Sequence, residues 1–131
     1  MILVDTHVLV TDHPRWAEWS QQQLDLSSAQ DELAINEIVY AELSIGYDRE
    51  WGSSTRCSSA PGLTTTAIPR PALFLAGTAF QRYRSSGGRK TGVLSDFFIG
   101  AHAVVADVAL ITRDAPRYRS YFPGIMVIAP N

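Results

Sequence analysis

Of thirteen acidic residues in this chain, four stand in apolar company. Asp5 directly follows the run Ile2-Leu3-Val4, and Asp114 closely follows Ala109–Thr112. Glu42 lies four residues after Ile38 and three before Ile45, a spacing that puts it on the apolar side of a helix. Asp96 precedes Phe97-Phe98-Ile99-Gly100 and shares a helical face with Ile99, Gly100 and Ala103. By contrast, Asp25, Asp31, Glu32, Asp48 and Glu50 have polar neighbours and read as solvated surface groups. Two of the four acids thus fall at the carboxyl ends of predicted strands, where open α/β sheets bind ligands. The other two are on inward helix faces that can converge there. Two carboxylates about 4 Å apart repel by about 4 kcal/mol at an effective dielectric near ~20. Protonation or a hard cation relieves that repulsion. An all-oxygen acidic set suits Mg²⁺ or Mn²⁺, and such a site activates water and stabilises the oxyanions of a phosphodiester under attack. The competing reading is four unrelated buried acids, each capping a helix or paired.

The elements that must position these acids alternate along the chain. Met1–Val4 is apolar on both faces, as in a buried parallel strand. Asp12-His13-Pro14 reads as a helix start, with Trp16, Trp19 and Leu24 following at loosely helical spacing. Leu33–Ile35 is a second strand, and Asn36 caps a helix that Gly46 is expected to stop. Residues 52–66, with four serines and four threonines, show no helical period and read as a loop or irregular segment. Ala67-Ile68 is a candidate short strand. Pro71 opens an amphipathic helix to about Arg84, ended by Gly87-Gly88, and Ser95 caps another from Asp96 to about Val105. Val108–Thr112 and Ile125–Ile128 are strands flanking a short helix that begins near Asp114. Alternating strands and helices predict a parallel sheet covered on both faces, in one domain spanning 1–131.

Composition narrows the class. With 46% apolar and 18% charged residues, the chain is neither disordered nor fibrous. No apolar run approaches the ~20 residues that span a bilayer. The single cysteine, Cys57, has no partner for an internal disulfide, which fits a reducing cytoplasm. The formal charge of −2 hides an asymmetry: residues 1–65 hold three bases against ten acids, and residues 66–131 hold eight against three. Seven bases fall between 82 and 119: Arg82, Arg84, Arg89, Lys90, Arg113, Arg117 and Arg119. They are candidates for a rim that holds nucleic-acid phosphates against the repulsion of an acidic pocket. Tyr118 and Tyr121, interleaved with them, are candidates for stacking on unpaired bases. The other reading is solvated arginines, or arginines paired with acids of the first half. A metal-free mechanism using His7, His13 and His102 is disfavoured, because His102 faces away from Asp96 on their shared helix. His102 reads instead as a packed structural residue, and Trp16 and Trp19 as core or interface residues.

The motifs VDT at 4–6, YAELS at 40–44, LSDFFIGAHA at 94–103 and LITRD at 110–114 resemble the PIN-domain ribonucleases, in particular the VapC-type toxins of type II toxin–antitoxin systems. The resemblance covers nearly the whole chain and is closest from about Pro69 to Pro130. It implies a three-layer α/β/α sandwich around a mostly parallel sheet of four or five strands. It also implies Mg²⁺- or Mn²⁺-dependent cleavage of RNA, of the tRNA or rRNA class, leaving a 5′-phosphate and a 3′-hydroxyl. A cognate antitoxin and a homodimer are the implied partners. Carried over, Asp5, Glu42, Asp96 and Asp114 match the acidic pocket. Asp5 and Asp96 are its firmest metal ligands, Glu42 binds metal directly or holds its water, and Asp114 acts mainly through water. Thr6 and Thr112 offer hydroxyls that orient carboxylate or water, or that bond local backbone. The chain departs from the family pattern at His7, which stands where Asn or Ser is usual. It departs again in the short link from Asp5 to Pro14 and in the Ser/Thr-rich stretch 52–66. These departures motivate an alternative, a non-catalytic RNA- or partner-binding module on the same scaffold. A phosphohydrolase or response-receiver reading fits less well, lacking a DxD after the first strand and a clear phospho-acceptor Asp with its Lys.

Overall fold

The computed structural model describes residues 1–10, 14–54, 63–88 and 94–130, with backbone alone for 46–54. In chain order the elements are β1 (Ile2–Val4), α1 (Thr6–Leu9), α2 (Pro14–Ser28), β2 (Leu33–Ile35), α3 (Glu37–Ser54) and β3 (Leu63–Thr65). There follow α4 (Arg70–Ser85), α5 (Leu94–Ala106), β4 (Leu110–Ile111), α6 (Ala115–Tyr121) and β5 (Val127–Ile128). The five strands form one parallel sheet in the order β3-β2-β1-β4-β5. Register pairs Leu3 with Ala34 on one side and with Leu110 on the other. The expected α/β/α architecture with a parallel sheet is therefore present. Crossovers run outward from β1 in both directions, and right-handed connections in opposite directions cover opposite faces.

Burial follows sheet position. β1, β2 and β4 are buried throughout, whereas the edge strands β3 and β5 are partly open. This is why the central strands read as uninterrupted apolar runs. Helix α5 is almost as enclosed, burying Phe97, Ile99, Gly100, Ala101, His102 and Ala103. Phe97 sits in an aromatic cluster that joins α4, α5 and α6, stacked on Tyr121 at 4.2 Å and edge-on to Phe80 at 5.4 Å. Gly100 lets α6 approach: a Cβ there would lie 2.6 Å from the Phe122 ring.

Several boundaries differ from the sequence expectation. α3 passes through Gly46 and Gly52 to Ser54, since an interior glycine costs about 1 kcal/mol, too little to stop a helix by itself. Within the stretch read as irregular, Leu63-Thr64-Thr65 pairs with Leu33-Ala34-Ile35 as β3. Its β-branched threonines suit a pleated edge, and the strand proposed at Ala67-Ile68 is absent. Ser95 lies inside α5 rather than capping it. The caps at Asn36 and Asp114 are as read: Asn36 accepts from the N–H groups of Ile38 and Val39, and Asp114 from that of Arg117. Gly87, at φ +89°, closes α4 after Ser86. His13, Cys57, Arg89 and Lys90 lie outside the described residues.

Candidate active site

The sheet order turns at β1, with β2 and β3 on one side and β4 and β5 on the other. Such a switch point opens a crevice beyond the carboxyl ends of the central strands. Asp5, the first residue after β1, is fixed there by its N–H bond to the Ile111 carbonyl of β4, 2.9 Å. Its buried carboxylate accepts from the Thr6 N–H at 2.8 Å and from the Thr112 hydroxyl at 2.8 Å. Burial pushes the Asp5 carboxyl above its usual range. The Thr112 bond, His7 and the Thr6 N–H pull against that, and the charge of Glu42 adds to it.

Glu42 arrives from α3. The buried face of that helix carries Val39 and Leu43, while Ile45, expected inside, is 83% exposed. Glu42 therefore stands at the margin of the buried face, half-buried. It accepts from the Thr6 hydroxyl at 2.6 Å and the Ser95 hydroxyl at 3.1 Å, so one carboxylate ties α1 to α5. Both threonine hydroxyls thus bond carboxylates, and that of Thr112 also accepts the Asp114 N–H at 3.1 Å.

Asp96 opens into the same space from the first turn of α5, its side chain 13% exposed. Burial raises its carboxyl; Arg117 lowers it, and the charges of Asp5 and Glu42 raise it further. Arg117 spans two acids, with Nη1 2.9 Å from Asp96 and Nε 3.0 Å from Asp114. Partial desolvation weakens that guanidinium, but Asp96 and Asp114 more than compensate and hold it protonated. Beneath them lies the buried phenol of Tyr118, 3.5 Å from Asp96. Burial first, then the charges of Asp5 and Asp96, drive its ionisation well above the ordinary range. The charge of Glu42 acts on that phenol in the same direction.

Beside these groups lies a cavity of about 350 Å³, whose lining does not include Glu42 or Thr6. Asp5, Asp96, Asp114 and Thr112 form its acidic part, Tyr118 its floor, and His7, Arg113, Arg117 and Trp16 its remaining wall. Of the predicted basic rim, only Arg113 and Arg117 reach it among the described residues. Arg82 and Arg84 occupy the last turn of α4, and Arg119 is exposed on α6. The stacking role expected of two tyrosines does not fit: Tyr118 is buried and Tyr121 is packed on Phe97. Trp16, expected in the core or an interface, is instead a cavity wall. His102 is structural as read, buried with its Nδ1 3.1 Å from the Asn36 amide.

Among the described residues, no three His, Cys, Asp or Glu side chains are grouped to enclose a metal ion. The donor chemistry nonetheless fits a hard divalent cation. It is all oxygen, and Asp5 and Asp96 both hold protons more tightly than free carboxylates, partly through the charge of neighbouring acids.

Fold and site define an α/β protein with an acidic crevice at the switch point of a parallel sheet. The chain belongs to the PIN-domain family, whose model matches residues 2–119. PIN domains are generally nucleases, and those nucleases typically use divalent metals. Among solved structures, the chain is similar to VapBC2 from Rickettsia felis bound to a promoter DNA fragment, with 20% identity, TM-score 0.77 and 100% of both chains covered. It is similar to VapBC-1 from nontypeable Haemophilus influenzae, with 17% identity, TM-score 0.73 and 98% of each chain covered. It is also similar to a toxin–antitoxin complex from Klebsiella pneumoniae, with 22% identity and TM-score 0.69, covering 100% of this chain and 98% of that one. At these identities the likeness is one of fold. No curated protein matches significantly.

Proposed function

We propose that residues 1–131 act as a single metal-dependent endoribonuclease, the toxin of a toxin–antitoxin pair. The observation that carries this reading is the acidic cavity at the β1 switch point, lined by Asp5, Asp96 and Asp114 from three separate parts of the chain. Asp5 and Asp96 would hold a Mg²⁺ or Mn²⁺ ion, with Glu42 and Asp114 reaching it through water. When bound, such an ion supplies an activated water and neutralises charge on the phosphate under attack. The chain's own residues do the rest. Thr112 and the Thr6 N–H aim the Asp5 carboxylate, and the Thr6 and Ser95 hydroxyls aim Glu42. Arg117 steadies Asp96 against its neighbours. Arg113 supplies positive charge at the cavity wall for the RNA backbone.

An antitoxin partner is supported by the VapBC complexes among the structural neighbours. Ile45 and Phe74, 83% and 76% exposed, are apolar groups of the kind a homodimer or antitoxin interface covers. Among the described residues no helix is long and apolar enough to cross a membrane, and we assign the protein to the cytoplasm, with RNA of the tRNA or rRNA class as substrate. Purified protein is expected to cut structured RNA with Mg²⁺ or Mn²⁺ and to stop with EDTA. Asp96→Asn should lose cleavage while keeping its circular dichroism spectrum; equal cleavage by that variant overturns the reading. One observation favours a second reading, a non-catalytic RNA-binding module: Arg117 already provides Asp96 with a cation. Calorimetric titration with Mn²⁺ separates the two, since the module binds RNA without binding the metal.

A further inference from the structure

Two arginines line the acidic cavity, and they are held in different ways. Arg117 is committed to Asp96 and Asp114. Arg113 pairs with no carboxylate among the described residues; its guanidinium lies over the Trp16 ring, 5.3 Å from the centroid. Arg15 lies over the same ring at 5.2 Å. A guanidinium held by an aromatic face keeps its N–H fork, which points outward in its own plane, and keeps its charge. A carboxylate partner would consume both. The backbone around Arg113 is also fixed, since Thr112 bonds Asp5 and Asp114 caps α6. Trp16 meets it from an independent element, the first turn of α2.

We infer that Trp16 is a positioning residue that presents the Arg113 guanidinium, un-neutralised, as a clamp for an RNA phosphate adjoining the one cleaved. This rests on the ribonuclease reading and names the subsite by which an acidic pocket retains a polyanion. Trp16 serves here through Arg113, not as a platform for a base, because guanidinium groups already occupy its π-system.

The test is binding of a single-stranded RNA oligonucleotide to the full chain in EDTA, across a range of salt, with kcat and KM for cleavage measured separately in Mn²⁺. Arg113→Gln should flatten the plot of log affinity against log salt by about 0.7, one phosphate contact on a single strand. Trp16→Leu should flatten it equally, and the double variant no further than either single one. Trp16→Phe, which keeps an aromatic face, should restore most of the slope and guards against loss of fold in the leucine variant. In cleavage, KM should rise with little change in kcat. An unchanged salt slope in Trp16→Leu, or additive losses in the double variant, overturns the inference while the ribonuclease reading stands. An oligonucleotide abasic at every position should show the same dependence on Trp16; loss of that dependence assigns base stacking instead and overturns the clamp. If the parent protein neither binds nor cuts RNA, the ribonuclease reading fails and the clamp fails with it.

Discussion

Asp5 is buried at the expense of stability. Burial raises its carboxyl, so the folded chain binds that proton more tightly than the unfolded chain does. The ionised form therefore opposes folding at neutral pH, and the opposition fades as pH falls through the raised value. Asp5→Asn is expected to abolish cleavage yet to melt no lower than the parent at neutral pH, which differential scanning calorimetry would show. His102 has the opposite sign. Burial lowers its pKa below 6.5, so the unfolded chain takes up the proton first. Stability should fall as pH drops below 6.5 and continue falling towards the lowered folded value. Urea denaturation on either side of that pH should show the loss, and His102→Gln should remove it while leaving an acceptor for Asn36. Residue by residue, legibility followed the backbone. Asp5 and Asp114 could be found because strand ends fix where short side chains point. The bridge from Arg117 to Asp96 spans 21 residues. The meeting of Trp16 with Arg113 depends on how α2 leaves β1, and neither leaves a local pattern.

Between elements, two helix positions give opposite expectations. Gly100→Ala places a methyl group against Phe122 and Tyr118 at the contact of α5 with α6. Overpacking of this kind costs about 1–3 kcal/mol, and because α6 carries Arg117, activity should fall alongside the denaturation midpoint. Ser20 on α2 is the only buried side chain among the described residues with an unpartnered polar atom. Ser20→Ala removes that hydroxyl and improves helix propensity, so it should stabilise the chain by about 1 kcal/mol in chemical denaturation. The strands β1, β2 and β4 were legible because a strand buried on both faces needs an unbroken apolar run. β3 was not, because an edge strand tolerates exposed residues on both faces, here Thr64 and Thr65, and their composition reads as a loop. The end of α3 was misplaced because the helix runs on through both Gly46 and Gly52, and an interior glycine costs only about 1 kcal/mol.

The molecule as a whole joins two oppositely charged halves at one crevice. Asp5 and Glu42 come from the acidic half; Asp96, Arg113 and Arg117 come from the basic one. A cation shared by Asp5 and Asp96 would therefore tie the end of the first strand to α5, the penultimate helix. Mn²⁺ at roughly 100 times its Kd should stabilise the fold by about 2.7 kcal/mol, a gain that Asp96→Asn loses in thermal melts. The same joining sets a schedule for biosynthesis. Asp5 is synthesised well before its hydroxyl donor Thr112, which lies 107 residues later. Until β4 emerges, β1 has a neighbour on one side only and the crevice has no second wall. A chain cut short before β4 therefore lacks the assembled crevice, whatever chemistry that crevice performs.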